Sequence, residues 1–291
     1  MDLRRLSYFV AVAEHEGFSA ASRRIHVAQP AISLAVKELE GELGAELFVR
    51  LGRRVTLTAA GQALLGPARQ ALRDVATGRA AVAAVTGMTS GSLSLCCLPT
   101  LAADPLSGLI GRFRRSWPGV LIELSAAGDG DGVVGRLRDG TCELGVSEPV
   151  EAPDLVCTEL AIQELAVILP PGSPPPPDPF GIAELAGVPL IVGPTGTSTR
   201  EVLEEGFAVA GVEPAVAVVT AQRDAILPLV VAGAGAAVVP LAMATVAAAL
   251  GAVVTRPEPG LTRRVAVLRR RGPVAPAADR FLELAFGGAP G

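Results

Sequence analysis

Histidine is scarce in this 291-residue chain: it has two, His15 and His26, both near the N-terminus. A Ser-His-Asp hydrolase would therefore have no base in the body of the protein, and neither G-x-S-x-G nor a phosphate-binding P-loop is present. The four cysteines (Cys96, Cys97, Cys142 and Cys157) lack C-x-x-C spacing, which argues against a zinc site. Their apolar neighbours point to small core residues, with a thiol redox switch as the alternative. Aromatics make up 3% of the chain, so Leu, Val and Ala must fill its core. At 19%, charge is too low and aliphatic content too high for a disordered chain. The N-terminus lacks a secretory signal, so a soluble, cytoplasmic protein is expected. The charge-free stretch Ala225–Val254 is long enough to span a bilayer, but Pro228, Gly233, Gly235 and Pro240 break it into short buried pieces.

What is present divides unevenly. Residues 1–90 carry 11 basic and 8 acidic side chains, a net of +3 within a chain of net −4, so the remainder nets −7. A mildly basic module on an acidic body places any anionic polymer at the N-terminus.

Within that module, Leu3, Leu6, Phe9, Val10 and Ala13 fall at helical spacing. Ser19 is placed to cap a short second helix ending at Ile25. Pro30 suits the first turn of a third helix, which is expected to run to Leu43. On this third helix Ile32, Val36, Leu39 and Leu43 form an inward line. Gln29, Ser33 and Lys37 form a polar line, turned roughly 90° away. Amide, hydroxyl and ammonium groups on one exposed helix face suit base-edge reading in a major groove. The next segment, Val49–Leu57, reads as a β-hairpin with Arg50, Arg53 and Arg54 near its tip, placed to grip phosphates.

These residues resemble the LysR-type transcriptional regulators. Phe18-Ser19-Ala20-Ala21-Ser22 and Val27-Ala28-Gln29-Pro30-Ala31-Ile32-Ser33 follow that family's helix-turn-helix pattern. Leu39–Gly44, Leu47–Arg50 and Leu57-Thr58-Ala59-Ala60-Gly61 match its next signatures in order. The resemblance implies DNA contacts from Ser19, Arg23, Ala28, Gln29, Pro30, Ser33, Leu34, Lys37, Arg50, Arg53 and Arg54. Ala28 stands where the family usually has Ser or Thr, and so loses a helix cap. Leu34 replaces a frequent basic or amide residue, trading a hydrogen bond for a thymine-methyl contact.

Thr58 is a good N-cap for a long Ala-rich helix through Thr86. Its stripe of Leu65, Ala68, Leu72, Val75, Arg79 and Val82 needs a covering partner. The resemblance implies a second copy, hence a homodimer or homotetramer. The alternative is packing on the chain's own effector domain.

From Gly91 short β runs alternate with helices, which argues for α/β units around a mostly parallel sheet. The expected architecture is α/β with an N-terminal winged helix-turn-helix over residues 1–58, a linker helix over 59–87 and an effector domain over 91–291. The resemblance implies that this domain has two α/β lobes similar to periplasmic binding proteins: lobe one about 91–163 and 268–291, lobe two about 164–267. It also implies a ligand cleft touched by Thr100, Leu101, Gly128, Asp129, Ser147, Glu148, Pro194, Thr195, Gly196 and Thr197. Ser198 and Glu201 have capping-box spacing, so Thr195–Thr199 would lie at a helix N-terminus. With Arg200, that terminus favours an anionic group such as a carboxylate, whereas Glu148 would favour an amine.

Gly130-Asp131-Gly132-Val133-Val134-Gly135 is a formal dinucleotide fingerprint, with Glu148 at the end of the following strand, and raises the alternative of an NAD(P)-binding enzyme. Asp129 and Asp131 would set carboxylates beside a pyrophosphate, which opposes it. A solute-binding protein is disfavoured by the reading head. The expected protein is thus not an enzyme and needs no cofactor. It is a regulator of double-stranded promoter DNA whose lobes shift population when a small metabolite binds.

Overall fold

In the computed structural model, which describes residues 1–51, 54–85 and 91–287, the chain opens with three helices. They are α1 (Leu3–Glu14), α2 (Phe18–Ile25) and α3 (Gln29–Leu43). Leu6, Phe9 and Val10 of α1 pack with Leu39 of α3, and Ala11 and Val12 of α1 pack with Ile32 and Val36, in the buried centre of this head. Leu43, expected on the inward line, is instead 43% exposed, because the helix outruns the surface that it packs on. The hairpin β1 (Phe48–Leu51) and β2 (Arg54–Leu57) pairs in the register Phe48↔Leu57 to Leu51↔Arg54. Phe48 wedges this wing into the head, with its ring 5.4 Å from Phe9 and 5.7 Å from Phe18.

Thr58 caps α4 (Ala59–Val85), its hydroxyl accepting from the Gly61 N–H at 3.1 Å while donating to the Glu46 carbonyl at 2.6 Å. Gly61 is needed for close approach: a Cβ there would stand 2.2 Å from the Leu47 carbonyl oxygen. Gly61→Ala should therefore pry the wing from the linker helix. It is expected to cost about 1–3 kcal/mol, read as a lower denaturant midpoint. Leu65, Ala68 and Leu72 of the linker stripe pack on α1 of the chain's own head, so this half of the stripe needs no second copy to bury it. Further along, Arg69 reaches Glu14 of the head at 3.1 Å and Asp139 of the body at 3.7 Å, and so ties the two.

The body is built on a seven-stranded mixed sheet, not the mostly parallel one expected. The strands are β3 (Gly91–Cys97), β4 (Val120–Ala126), β5 (Leu144–Ser147), β6 (Leu155–Leu169), β9 (Ala237–Pro240), β10 (Val253–Thr255) and β11 (Thr262–Arg270). Their order is β10-β6-β11-β5-β3-β4, with β9 also on β6. β3 pairs parallel with β4 and β5, but β11 runs antiparallel to both β5 and β6. The long strand β6 and its partner β11 cross between three cores. One core holds Leu93, Leu95, Phe113, Leu137, Val146 and Phe281, and defines lobe one. The others, around Leu185, Leu190 and Phe207 and around Ile168, Val230 and Ala247, define lobe two with the parallel pair β7 (Leu190–Val192) and β8 (Val216–Val219).

Lobe one carries α5 (Pro99–Leu101), α6 (Ser107–Ser116), α7 (Gly130–Arg138) and the returning C-terminal helix α11 (Pro276–Phe286). Phe281 of α11 stacks edge-on to Phe113 at 5.4 Å. The chain kinks at Asp104 ahead of α6. Asp104 is extended (φ −153°, ψ 126°), as the residue before a proline tends to be, and α6 starts at Ser107. Lobe two carries α8 (Ser198–Ala210), α9 (Ile226–Val231) and α10 (Leu241–Ala249). The charge-free stretch thus becomes α9, β9, α10 and β10, and among the described residues no helix is long and apolar enough to cross a membrane.

Cys96, Cys97 and Cys142 are core residues; burial pushes Cys97 up to about 11, while the hydrogen bond with Cys96, ahead of burial, pushes Cys142 upward. Cys157 departs from expectation and is exposed on β6.

Candidate nucleic-acid interface and effector cleft

The head presents α3 with its expected polar line outward. Gln29 and Lys37 are exposed, Ser33 is half-buried and Leu34 is 60% exposed, beside exposed Ala28 and Pro30. Ser19 does not cap α2, whose N-cap is Gly17; its hydroxyl instead donates to Gln29 Oε1 at 2.8 Å. That bond holds the amide through its oxygen and leaves its N–H groups for another acceptor. The three carboxylates of α3 are all engaged elsewhere. Glu40 accepts from the Leu47 and Phe48 N–H groups at 2.8 and 3.3 Å. Glu38 and Glu42 each pair with Arg5 at 3.1 Å, and Glu42 also takes the N-terminal ammonium. The Gln29–Ser33–Lys37 face therefore carries no carboxylate. Arg23, Arg24 and Lys37 are exposed with no counter-ion among the described residues.

Arg50 and Arg54 belong to the paired wing strands, and Arg53 lies outside the described residues. Ala28 is the N-cap of α3 and offers no side-chain bond. Ala28→Ser is expected to raise stability by about 1 kcal/mol, checked by chemical unfolding of the full chain.

In the body, the crossing strands carry the centre of the interlobe cleft. Arg263 on β11 lies opposite Gln163 on β6, and both are 4% exposed. The Arg263 guanidinium donates to Gln163 Oε1, to Ser198 Oγ and to Thr100 Oγ1, each at 2.7 Å. Thr100 belongs to lobe one and Ser198 to lobe two, so one side chain fastens both. Two carboxylates face this cation through intermediaries. Ser198 donates to Glu148 Oε1, and Gln163 Nε2 donates to Asp104 Oδ2 at 2.9 Å. Burial lowers Arg263 to about 10 despite these charges, with Arg223 adding repulsion.

Of the expected effector residues, Asp129, Glu148 and Gly196 line the cleft mouth, together with Asp131, Glu201 and Glu205. Thr100 faces inward to Arg263, whereas Leu101 is fully buried in the lobe-one core and Ser147 donates to the Glu148 carbonyl. Gly128 and Thr195 are exposed and Pro194 is half-buried; Thr197 is buried and donates to the Pro194 carbonyl at 2.8 Å. The capping box fails because Thr197, not Ser198, precedes the helix, leaving Ser198 free for the cleft. Arg200 is neutralised by Glu204 at 2.6 Å.

The formal dinucleotide loop becomes the first turns of α7. Asp129 caps it, accepting from the Gly132 N–H at 2.7 Å, so a carboxylate occupies the place a pyrophosphate would need. Among the described residues no cluster of His, Cys, Asp or Glu could hold a metal ion.

Sequence reasoning missed Arg263, Gln163 and Arg223. A signal existed for the first two. Leu261, Arg263 and Val265 alternate with exposed Thr262 and Arg264, as Gln163 and Leu165 alternate around Glu164, which is the pattern of a half-buried strand.

A basic, acid-free helix face ahead of two lobes hinged on crossing strands defines a winged helix-turn-helix protein with a ligand-binding body. Residues 3–62 match the bacterial regulatory helix-turn-helix protein, lysR family, and residues 86–288 match the LysR substrate binding domain. The chain belongs to the LysR family of DNA-binding transcriptional regulators, and its body is the family's effector-binding domain.

It is 31% identical over 289 residues to the HTH-type transcriptional regulator IlvR of Caulobacter vibrioides, covering 98% of this chain and 97% of that protein. It is 33% identical over 254 residues to TcbR of Pseudomonas sp. strain P51, covering 84% and 85%. Among solved structures, CbnR, a LysR family transcriptional regulator, superposes with a TM-score of 0.71 at 29% identity, covering 98% of both chains. Full-length CbnR complexed with its target DNA gives 0.70 at 28% identity, covering 98% of this chain and 99% of that one.

Proposed function

We propose that the chain is a cytoplasmic, oligomeric regulator that reads a promoter with α3 and responds to a small molecule between its lobes. The observation that carries this reading is the carboxylate-free outer face of α3. In this reading Gln29, Ser33, Leu34 and Lys37 meet base edges, while Ser19, Ala28 and Pro30 place them. Arg23, Arg50, Arg53 and Arg54 hold phosphates. The proposed units are a head at 1–58, a linker at 59–87 and an effector domain at 91–291. Lobe one takes about 91–163 and 268–291, and lobe two about 164–267. The kinship with CbnR, solved on its target DNA, supports DNA as the partner. Its named relatives are transcriptional regulators, which supports a non-enzymatic role.

Electrophoretic retardation of the protein's own upstream DNA tests this. Arg53→Ala/Arg54→Ala should weaken binding to all sequences alike and flatten the log K against log salt slope by about 2. An unchanged slope would remove the wing from the interface. Absence of salt-sensitive binding by the wild type would refute the whole reading.

A further inference from the structure

Behind the cleft mouth lies a second pocket with a different chemistry, lined mostly by lobe two, with Thr100 of lobe one at its edge. Its floor is apolar, made by Ile191, Leu203, Ile226, Val238 and Met243. One wall carries Arg223, half-buried, with no hydrogen bond or carboxylate partner among the described residues. Its guanidinium is tucked beside Gly193, where an added Cβ would stand 3.5 Å from Cζ and Nη1 and 2.5 Å from Thr197 Oγ1. Burial lowers Arg223, and no carboxylate acts to restore it. Against the same pocket, Thr199 is about nine-tenths buried and its Oγ1 has no hydrogen-bond partner. Thr199 lies in the first turn of the 13-residue helix α8, where backbone N–H groups lack intrahelical acceptors.

A cation without an anion, an orphaned hydroxyl and a helix N-terminus at one end of an apolar pocket are complementary to one ligand class. We propose that the effector is a small monocarboxylate with a compact apolar body, its carboxylate held by Arg223 and the Thr199 hydroxyl, its body on the lobe-two floor. This deepens the reading of the body as an effector domain and rests on it. A second carboxylate is disfavoured because the neighbouring cleft mouth already presents Asp129, Asp131, Glu148, Glu201 and Glu205. Arg263 does not substitute for Arg223, since Glu148 and Asp104 already face it.

The free volume of the pocket is about 20 Å³, room for one water-sized group. An entering acid must therefore displace the adaptable Met243 side chain and shift α8 relative to β9. Because α8 also carries Ser198, that shift acts on the Arg263 cluster that fastens the lobes. Binding thus favours a different lobe arrangement.

The test is calorimetric titration and thermal shift of the full chain with 3-methylbutanoate, succinate and butylamine. The first should bind and raise the unfolding midpoint; the others should not. Arg223→Gln should weaken 3-methylbutanoate by roughly 10- to 100-fold, Arg223→Lys should restore part of it, and Thr199→Val should weaken it several-fold. Ligand-free midpoints in the same runs show that the variants fold. Should Arg223→Gln fail to fold, Thr199→Val alone decides.

Equal binding by wild type and the folded variants, no shift with 3-methylbutanoate, or tighter binding of succinate or butylamine overturns the proposal. If succinate or butylamine binds and alters DNA retardation, the effector domain stands and the carboxylate assignment falls. If the acid binds through Arg223 yet leaves DNA retardation unchanged, the carboxylate site stands and the regulatory reading falls.

Discussion

Replacing Gln29, Ser33 and Lys37 together with alanine should reduce retention of the cognate promoter fragment by about 10²–10⁴-fold, to the level of unrelated DNA. Each good base-edge contact discriminates by about 1–3 kcal/mol, and roughly two such contacts account for that range. The folded head should survive. These side chains lie outside the buried set of Ile32, Ala35, Val36 and Leu39 that anchors α3, and alanine is at least as good a helix former. The control is Glu38→Ala on the neighbouring face, whose carboxylate pairs with Arg5 and not with the reading line. Retardation of specific against random duplex at matched salt is the measurement. A triple variant that still discriminates the two would show that α3 does not read sequence. Ser19→Ala should have a smaller effect of the same kind, because the Ser19 hydroxyl holds Gln29 Oε1 without being on the reading line itself.

Arg263→Met should lower the stability of the body by about 3 kcal/mol, a drop in unfolding midpoint of roughly 6–12 °C. The arithmetic rests on what the substitution leaves behind. Gln163 Oε1, Ser198 Oγ and Thr100 Oγ1 all lose their donor in a place with little water access. Glu148 and Asp104 keep their charge with the central cation gone, which is the costly half of a buried pair. Since Thr100 and Ser198 belong to different lobes, the loss also unfastens the cleft. Ser198→Ala in the Arg263→Met background should then cost less than it does in the wild type, with a coupling of about 0.5–3 kcal/mol. Calorimetry of the two single variants and the double variant gives that coupling. Strict additivity, or a single-variant cost below about 1 kcal/mol, would mean that the cluster does not hold the lobes together.

Legibility varied along the chain with the range of the forces involved. In the head, periodicity, a proline at the start of α3 and a run of ordered motifs located three helices and a wing, because each element is decided within a few residues of itself. Leu43 was misjudged because periodicity gives the face of a helix and not where its supporting surface ends. In the body, the alternation of short β runs with helices from Gly91 is legible in the sequence and matches the α/β lobes. The crossing strands β6 and β11 were overlooked, since they pair with each other across a separation of about a hundred residues.

The same distance hid the cleft. Thr100, Gln163, Ser198 and Arg263 have no sequence proximity, and each alone reads as an ordinary polar residue. Ser198 and Glu201 mimicked a capping box, and Gly130–Gly135 mimicked a phosphate loop. Both were undone by a neighbour: Thr197 precedes the helix, and Asp129 fills its own helix terminus.

The order of residues alone therefore settled which end meets DNA, that a wing follows the reading helix, and that an α/β body completes the chain. Helical period, capping and charge segregation act locally and can be counted along a string. Folding decided which cation is shared by the two lobes and which one is left with no acid beside it. Burial and pairing belong to the space between segments, and only the packed sheet brings those segments together.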